Sequence, residues 1–273
     1  MAITRAEFDF IRTLVSAKAG IVLETGKEYL VESRLTPVTQ KLGLKSIGEL
    51  VTRLRLEPRC GFDSHVIEAM TTNETTFFRD NAPFEALRKH MLPALIQARR
   101  TSTQLRIWCA ASSTGQEPYS LAMLLAEHFP ELASWDVQIV ASDLSIEVLD
   151  RARAARYTQF EINRGLPIQY LMKYFEKHGS EWQLKRSIAD RVEFRQINLI
   201  ERWPPFLPLD MVFIRNVMIY FDVETKRQIL QRIRQMLKPD GYLFLGSSET
   251  TMNLGNDFQR SEHDLAGCYR VAA

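Results

Sequence analysis

Three cysteines in 273 residues, Cys60, Cys109 and Cys268, stand too far apart for a disulfide framework or a thiolate metal site. They read as reduced thiols, and the five histidines are equally scattered, so no metal site is expected. No apolar run approaches the roughly 18 residues of a membrane span, and the opening MAITRAEFDF mixes charges throughout. The expectation is a soluble, cytoplasmic protein without direct membrane insertion. A net charge of only +2 argues against broad electrostatic capture of nucleic acid. Both glycine-rich phosphate signatures, GxGxxG and GxxxxGK[ST], are missing. So are internal repeats and low-complexity segments.

What is present is a 45% hydrophobic chain long enough for one standard domain plus a small one. It is organised around LRIWCAASSTGQEPYSLAML, residues 105 to 124. Leu105, Ile107 and Trp108 suit a strand buried on both faces, and Ala110 to Gly115 suit a tight turn. Pro118 suits the first position of a helix that shows Leu121, Leu124 and Leu125 to a sheet. Ala111, Ser112, Ser113 and Gly115 are small enough for a ligand to approach backbone N–H groups at the helix N-terminus. A strand, a small-residue turn and a helix without phosphate-binding chemistry suit a nucleoside carrying no phosphate. S-adenosylmethionine (SAM) is the first cofactor to test.

Upstream, Thr4 and Glu7 form a capping box for a helix that Gly20 stops, and Tyr29 to Leu42 make a second helix that Pro37 should kink or split. Ser46 and Glu49 form another box, and Phe62 to Met70 suggest a fourth helix, so residues 1–70 read as an all-α domain. Charges through residue 75 balance at ten of each sign, but Arg34, Lys41, Lys45, Arg53, Arg55 and Arg59 face only Glu49 and Glu57 between them. Those six are either a solvated helical face or a docking face for an acidic partner. TTNETTFFRD, residues 71 to 80, holds too many bulky apolar groups for a plain linker and reads as a folded segment lining a site. Helical sequence then runs to Arg100, interrupted at Pro93.

Val137 to Asp143 is an apolar run ending in an acid, as a second strand does where its carboxylate meets a ligand ribose. Asp143 could instead cap the helix from Ile146, a role open to Ser145 as well. Residues of about 155–197 break the α/β rhythm and read as an inserted β-rich subdomain. It has a helix through Phe175, then strands at Trp182 to Ser187 and Val192 to Ile197, the last leading back to the core. Its exposed edge is either open to a partner strand or regulator or a plain structural feature. Leu209 to Ile214 is a core strand that delivers Arg215 and Asn216 to the carboxyl edge, with Tyr220 and Phe221 close behind. A helix capped by Asp222 ends in KPDG, Tyr242 to Gly246 is a further strand, and Phe258 to His263 with Gly267 to Val271 close the sheet.

TTNETTFFRD, AASSTGQEPYS, ASD, INL, RNVMIYF and LKPDGYLFLGSSE occur in that order along the chain. Together they resemble the chemotaxis receptor methyltransferase (CheR) family of SAM-dependent protein-glutamate O-methyltransferases, from the N-terminal helices to the last strand. The resemblance implies an α/β fold: a Rossmann-like class I SAM methyltransferase domain over residues 83–273, carrying a small antiparallel β-subdomain insertion. It is preceded by the all-α domain and a linker, residues 71–82, that contributes to the cofactor site. The resemblance also sets Asn73, Thr75 and Arg79 against the cofactor, Glu117 at the methionine part of SAM and Asp143 at the ribose. Asn198 and Leu199 fall near the adenine, Arg215 and Asn216 complete the pocket, and Arg79 and Tyr220 lie close to the transferred methyl. S-adenosylhomocysteine is the implied product, the cytoplasmic domain of chemoreceptors the implied partner, and the six basic residues the implied docking face. The KHGSEW turn is shorter than the glycine-bearing turn of relatives that tether to a receptor C-terminal pentapeptide, so a tether-independent enzyme is expected. Rival readings are a SAM methyltransferase for another substrate and a non-catalytic adapter that binds SAM.

Overall fold

The computed structural model describes residues 3–57, 61–261 and 267–272; Cys60 and His263 lie outside them. Four helices, α1 (Arg5–Ala19), α2 (Glu28–Lys41), α3 (Ile47–Leu56) and α4 (Phe62–Met70), open the chain. The apolar faces of these helices, with Phe8, Ile11, Leu35, Leu50 and Val66 at the centre, close on one buried cluster. Thr4 caps α1 reciprocally: its hydroxyl accepts the Glu7 N–H, and the Glu7 carboxylate accepts the Thr4 N–H at 2.7 Å. The box at Ser46 is half formed, because the Glu49 carboxylate takes the Lys45 N–H at 2.8 Å. Pro37 does not split α2. Its missing donor falls on the exposed side of the helix beside Ser33, where water can serve the freed carbonyl.

The helix after the linker is also continuous. α5 (Ala82–Ala86) passes through a π-helical turn at Leu87–Met91 into α6 (Leu92–Ala98), and the Leu92 N–H bonds back five residues to the Leu87 carbonyl. The interruption expected at Pro93 is this extra-wide turn, which ends two residues before the proline.

A doubly wound sheet follows. Its elements are β1 (Gln104–Ala110), α7 (Gln116–His128), β2 (Asp136–Asp143) and α8 (Ile146–Ala154). An insertion then runs through β3 (Arg156–Thr158), α9 (Gln159–Asn163), α10 (Ile168–Tyr174), β4 (Phe175–His178), β5 (Glu181–Leu184) and α11 (Arg186–Ala189). The chain returns through β6 (Val192–Gln196), β7 (Leu209–Ile214), α12 (Val223–Met236), β8 (Leu237–Phe244), β9 (Phe258–Arg260) and β10 (Cys268–Val271). The large sheet has the order β6-β2-β1-β7-β8-β10-β9, with β10 antiparallel to both neighbours. Along β1, Ile107 and Cys109 enter the core on one face and Trp108 and Ala110 the core on the other, as a strand covered on both sides requires. Strand order reverses between β1 and β7, which opens a crevice at their carboxyl ends.

Three expectations change in detail. Val192–Gln196 pairs in parallel with β2 as part of the main sheet, so the small antiparallel sheet is β3-β5-β4 alone. Phe175 opens β4 instead of ending a helix, and the strand from Trp182 stops at Leu184 before α11. The strand expected from Tyr242 to Gly246 instead begins at Leu237 and ends at Phe244, so β8 runs through KPDG, with an irregularity in register opposite Leu209 to Met211.

Candidate functional site

The crevice is built by six pieces of chain. The β1–α7 turn supplies its floor. α7 starts at Gln116, so Pro118 is the third helical residue; the missing N–H still falls in the first turn, where it has no helical partner. Ala111 and Ser113 hold left-handed backbone angles, φ 54° and 49°, and Asn216 opposite them holds φ 60°. Strained non-glycine conformations thus gather where a ligand must be approached closely.

At the end of β2, Asp143 is buried and its carboxylate accepts the Ser113 N–H at 2.9 Å and the Ser145 N–H at 3.0 Å. Ser145, not Asp143, caps α8 by accepting the Val148 N–H. Desolvation raises the Asp143 pKa above the ordinary carboxylate value, and the backbone donors at Ser145, Ser113 and Leu144 oppose it. Each oxygen keeps a lone pair for a further donor.

Across the floor, the buried Glu117 pairs with Arg215, Oε2 to Nη1 at 2.9 Å. Burial pushes Glu117 up and Arg215 pulls it down. The other Arg215 nitrogen donates to Asp80 Oδ2 at 2.7 Å and to the Arg79 carbonyl at 3.0 Å. The 71–80 segment is therefore held from beneath, and its aromatics fix it sideways. Phe77 meets Tyr157 and Phe175 edge-on at 4.9 and 5.8 Å, and Phe78 stacks on Tyr170 at 4.9 Å. All three partners belong to the insertion, which accounts for bulky apolar groups in an otherwise polar stretch. Arg79 Nη1 donates to the Glu74 carbonyl at 3.1 Å.

The all-α unit closes the remaining side. Ala19 and Ile21 line the cavity, the Val22 N–H donates to the Tyr220 carbonyl at 2.9 Å, and the Asn198 amide donates to the Lys18 carbonyl at 2.7 Å. Glu68 on α4 accepts from the Ser145 hydroxyl and from the Glu147 N–H, bonding the two units across the Asp143 loop.

Every cofactor and methyl-site residue expected from sequence lines this one cavity: Asn73, Thr75 and Arg79 from the linker, Glu117 from α7, Asp143 from β2, Asn198 and Leu199 after β6, and Arg215, Asn216 and Tyr220 after β7. The Asn198 side chain, however, is spent on Lys18, Glu201 and the Ile200 N–H, so its part in the wall is left to its backbone. Sequence reading named Ser112 for its small size alone, and passed over Ala19 and Ile21 in the wall and Glu249 behind it. The six basic residues do not form one free face. Arg34 donates to the Met70 and Thr71 carbonyls and to the Thr72 hydroxyl, tying α2 to the end of α4. Arg55 covers the Phe10 ring at 4.9 Å, and Arg53 lies 3.7 Å from Glu57. Lys41 and Lys45 are exposed, and Arg59 lies outside the described residues. Among the described residues no cluster of His, Cys, Asp and Glu is placed to hold a metal ion, and no helix is long and apolar enough to cross a membrane.

Two polar atoms test whether an adenosyl ligand suits this wall. Ser112 Oγ and Asn216 Oδ1 are buried without a hydrogen-bond partner among the described residues, and both residues face the cavity. Buried polar atoms without partners are costly, and a ligand rich in hydroxyl and amino donors would satisfy them. The acidic groups facing the wall, Asp143 and Glu117, suit hydroxyls and an ammonium and would repel a phosphate. With the antiparallel β10 inserted beside β8, this sheet and this cavity define a class I SAM-dependent methyltransferase.

The chain belongs to the CheR methyltransferase family. The family's all-alpha domain matches residues 6–71 and its SAM binding domain residues 73–266. "Chemotaxis protein methyltransferase 1" of Pseudomonas aeruginosa is 46% identical over 99% of this chain and 100% of its own length. "Chemotaxis protein methyltransferase Cher2" of Pseudomonas putida is 42% identical over 95% of each, and the "Chemotaxis protein methyltransferase" of Escherichia coli is 38% identical over 94% of this chain and 89% of its own. Among solved structures, a glycopeptide N-methyltransferase, MtfA, complexed with sinefungin aligns at a TM-score of 0.38 and 14% identity, covering 71% of this chain and 59% of the other.

Proposed function

We propose that this chain methylates chemoreceptors in chemotactic adaptation, transferring the SAM methyl group to glutamate side chains on their cytoplasmic domains and leaving methyl esters. The reading makes it a protein-glutamate O-methyltransferase that works in the cytoplasm, needs no metal and is independent of a pentapeptide tether, with the insertion left as the place for any regulator. The convergence of Arg79 and Tyr220 on the cavity that Asp143 and Glu117 also line carries this reading. The chemotaxis methyltransferases that match nearly the whole chain support the substrate class.

SAM, when bound, supplies a methyl group on a cationic sulfonium. The accepting glutamate, with a pKa of about 4.3, is already ionised at neutral pH. The chain therefore needs no general base, and its task is alignment and exclusion of water. Asp143 would hold the ribose hydroxyls and Glu117 the methionine end, while Ser112 and Asn216 would accept from the adenosyl group through their unpartnered atoms. Reaction consumes opposite charges, so residues that hold both ions too well would slow it. Tyr220 can orient one carboxylate oxygen by donating a hydrogen bond from its hydroxyl without neutralising it. Arg79, restrained by Glu74 and supported from below by Arg215, would steady the other oxygen or the cofactor wall.

Incubation with methyl-labelled SAM and membranes bearing candidate receptors tests the reading, with base-labile release of the label as the ester signature. Label that withstands base, or that enters nucleic acid or a small molecule instead, would overturn it.

A further inference from the structure

We infer that Glu249, in the loop after β8, is a positioning residue that sets the Asn216 wall of the cavity and the turn carrying Tyr220, an inference that rests, for Tyr220, on the role proposed above. The observation is a carboxylate used as a backbone clasp. Glu249 Oε2 accepts the Asn216 N–H at 2.8 Å and the Gly246 N–H at 2.6 Å, while Oε1 accepts the Met218 N–H at 2.7 Å. Its own N–H donates to the Gly246 carbonyl at 2.9 Å, closing the loop that presents it. The residue is 8% exposed. Hydrogen bonds to an ionised acceptor are about twice as strong as neutral ones, so one side chain holds three donors that the irregular backbone after β7 and after β8 would otherwise leave unpaired.

The consequence for the site is direct. Asn216 holds φ 60°, in the left-handed region, and its Oδ1 is one of the unpartnered atoms of the cavity wall. Two residues further on, Met218 begins a short 3-10 turn, Met218–Tyr220, that carries the Tyr220 ring. Glu249 grips both ends of the stretch between them. Gly246 is part of the same device: a Cβ there would come within 2.7 Å of both Asn216 Nδ2 and Glu249 Oε2, so only glycine leaves room for the clasp. Loops at the ends of β7 and β8 are thus locked to each other at the edge where the methyl acceptor must arrive.

Glu249→Gln tests the assignment in the full chain. Glutamine keeps the shape but offers one acceptor oxygen and turns an N–H₂ group toward a backbone donor. The expected result is a folded protein by circular dichroism that binds S-adenosylhomocysteine about tenfold more weakly in calorimetry, through Asn216. Its kcat should fall at least tenfold while KM for receptor stays within about twofold. The double variant Glu249→Gln with Tyr220→Phe should be no more than about twofold slower than Tyr220→Phe alone, because both changes disable one unit. Wild-type kcat and cofactor affinity in Glu249→Gln would overturn the inference, as would losses that simply multiply in the double variant. Full activity in Tyr220→Phe alone would remove the proposed role of Tyr220 and leave the calorimetric loss to decide for or against Glu249.

Discussion

Arg215 and Glu117 form a buried pair, Nη1 to Oε2 at 2.9 Å with side chains 2% and 11% exposed, at the junction of β7, α7 and the linker. The same guanidinium also holds Asp80 and the Arg79 carbonyl. Its removal would leave the Glu117 carboxyl without its partner in a dry site, and stranding one member of a buried pair costs roughly 3–5 kcal/mol. Arg215→Ala is therefore expected to lower the urea midpoint by about that much stability and to abolish binding of S-adenosylhomocysteine. Arg215→Ala together with Glu117→Gln should recover part of the stability but none of the binding. Equal stability in the two variants would show that the pair is not the cause.

Asp143 supplies a pH dependence whose sign can be worked out. Burial raises its pKa in the free protein, with the Ser145 and Ser113 N–H groups as the main opposition. The ionised form is the one that accepts hydrogen bonds from two ribose hydroxyls, so ligand binding favours ionisation and lowers that pKa. Affinity for S-adenosylhomocysteine should accordingly weaken as pH falls, beginning above the ordinary carboxylate range. Binding at the acid end should release up to about one proton, measurable as a dependence of calorimetric heat on the buffer. Asp143→Asn should bind weakly at every pH and release measurably fewer protons than the wild type, Glu117 remaining as the other buried acid of the cavity.

How much of this was legible without coordinates depended on the kind of signal. Buried strands such as Leu209–Ile214 and capped helices such as α1 declare themselves by periodicity and by local donor–acceptor chemistry, and the structure has both. The Asp143 and Arg215 positions follow because a strand's end fixes which edge a residue occupies. Sheet membership does not follow: Val192–Gln196 alternates as any strand does, and nothing local says that its partner is β2. Direction of a long side chain is equally silent. Arg34 looks like one more cation on a basic face, yet it folds inward to three acceptors at the end of α4. Glu249 was hidden for a related reason, since a carboxylate that serves only backbone groups leaves no partner in the sequence to notice. The available hint was an acid three residues beyond a glycine at a strand end, inside the LGSSE motif.

Arg79 and Tyr220 share the cavity but are attached differently, which separates their expected phenotypes. Arg79 is bonded to Glu74 and sits in a segment clamped by Arg215, so Arg79→Ala should loosen the wall and weaken S-adenosylhomocysteine binding along with turnover. Tyr220 is held through its backbone carbonyl by Val22, leaving the ring position unaffected by loss of the phenol. Tyr220→Phe is expected to bind the ligand within about twofold of wild type and to lose about 10²-fold in kcat, the range typical of a lost transition-state hydrogen bond. Calorimetry beside single-turnover methyl transfer distinguishes the two. Unimpaired turnover in Tyr220→Phe would remove its proposed role.

The docking face can be narrowed to residues that the fold leaves available. Arg34 is committed to the α4 end, so its replacement should cost stability and cannot report docking. Lys41 and Lys45 are exposed, and Arg53 and Arg55 are exposed on α3 with only weak engagements, a 3.7 Å approach to Glu57 and the Phe10 ring. A glutamate-rich receptor helix would be attracted to these four by interactions that salt screens over about 8–10 Å. Charge reversal at Arg53 and Arg55 should therefore raise KM for receptor several-fold, with kcat and S-adenosylhomocysteine affinity unchanged. The wild-type KM should rise with ionic strength more steeply than that of the variant. If KM is the same in both proteins at low salt, the acidic substrate docks elsewhere. The exposed lysines on α2 and its following loop then remain as the next positions to reverse.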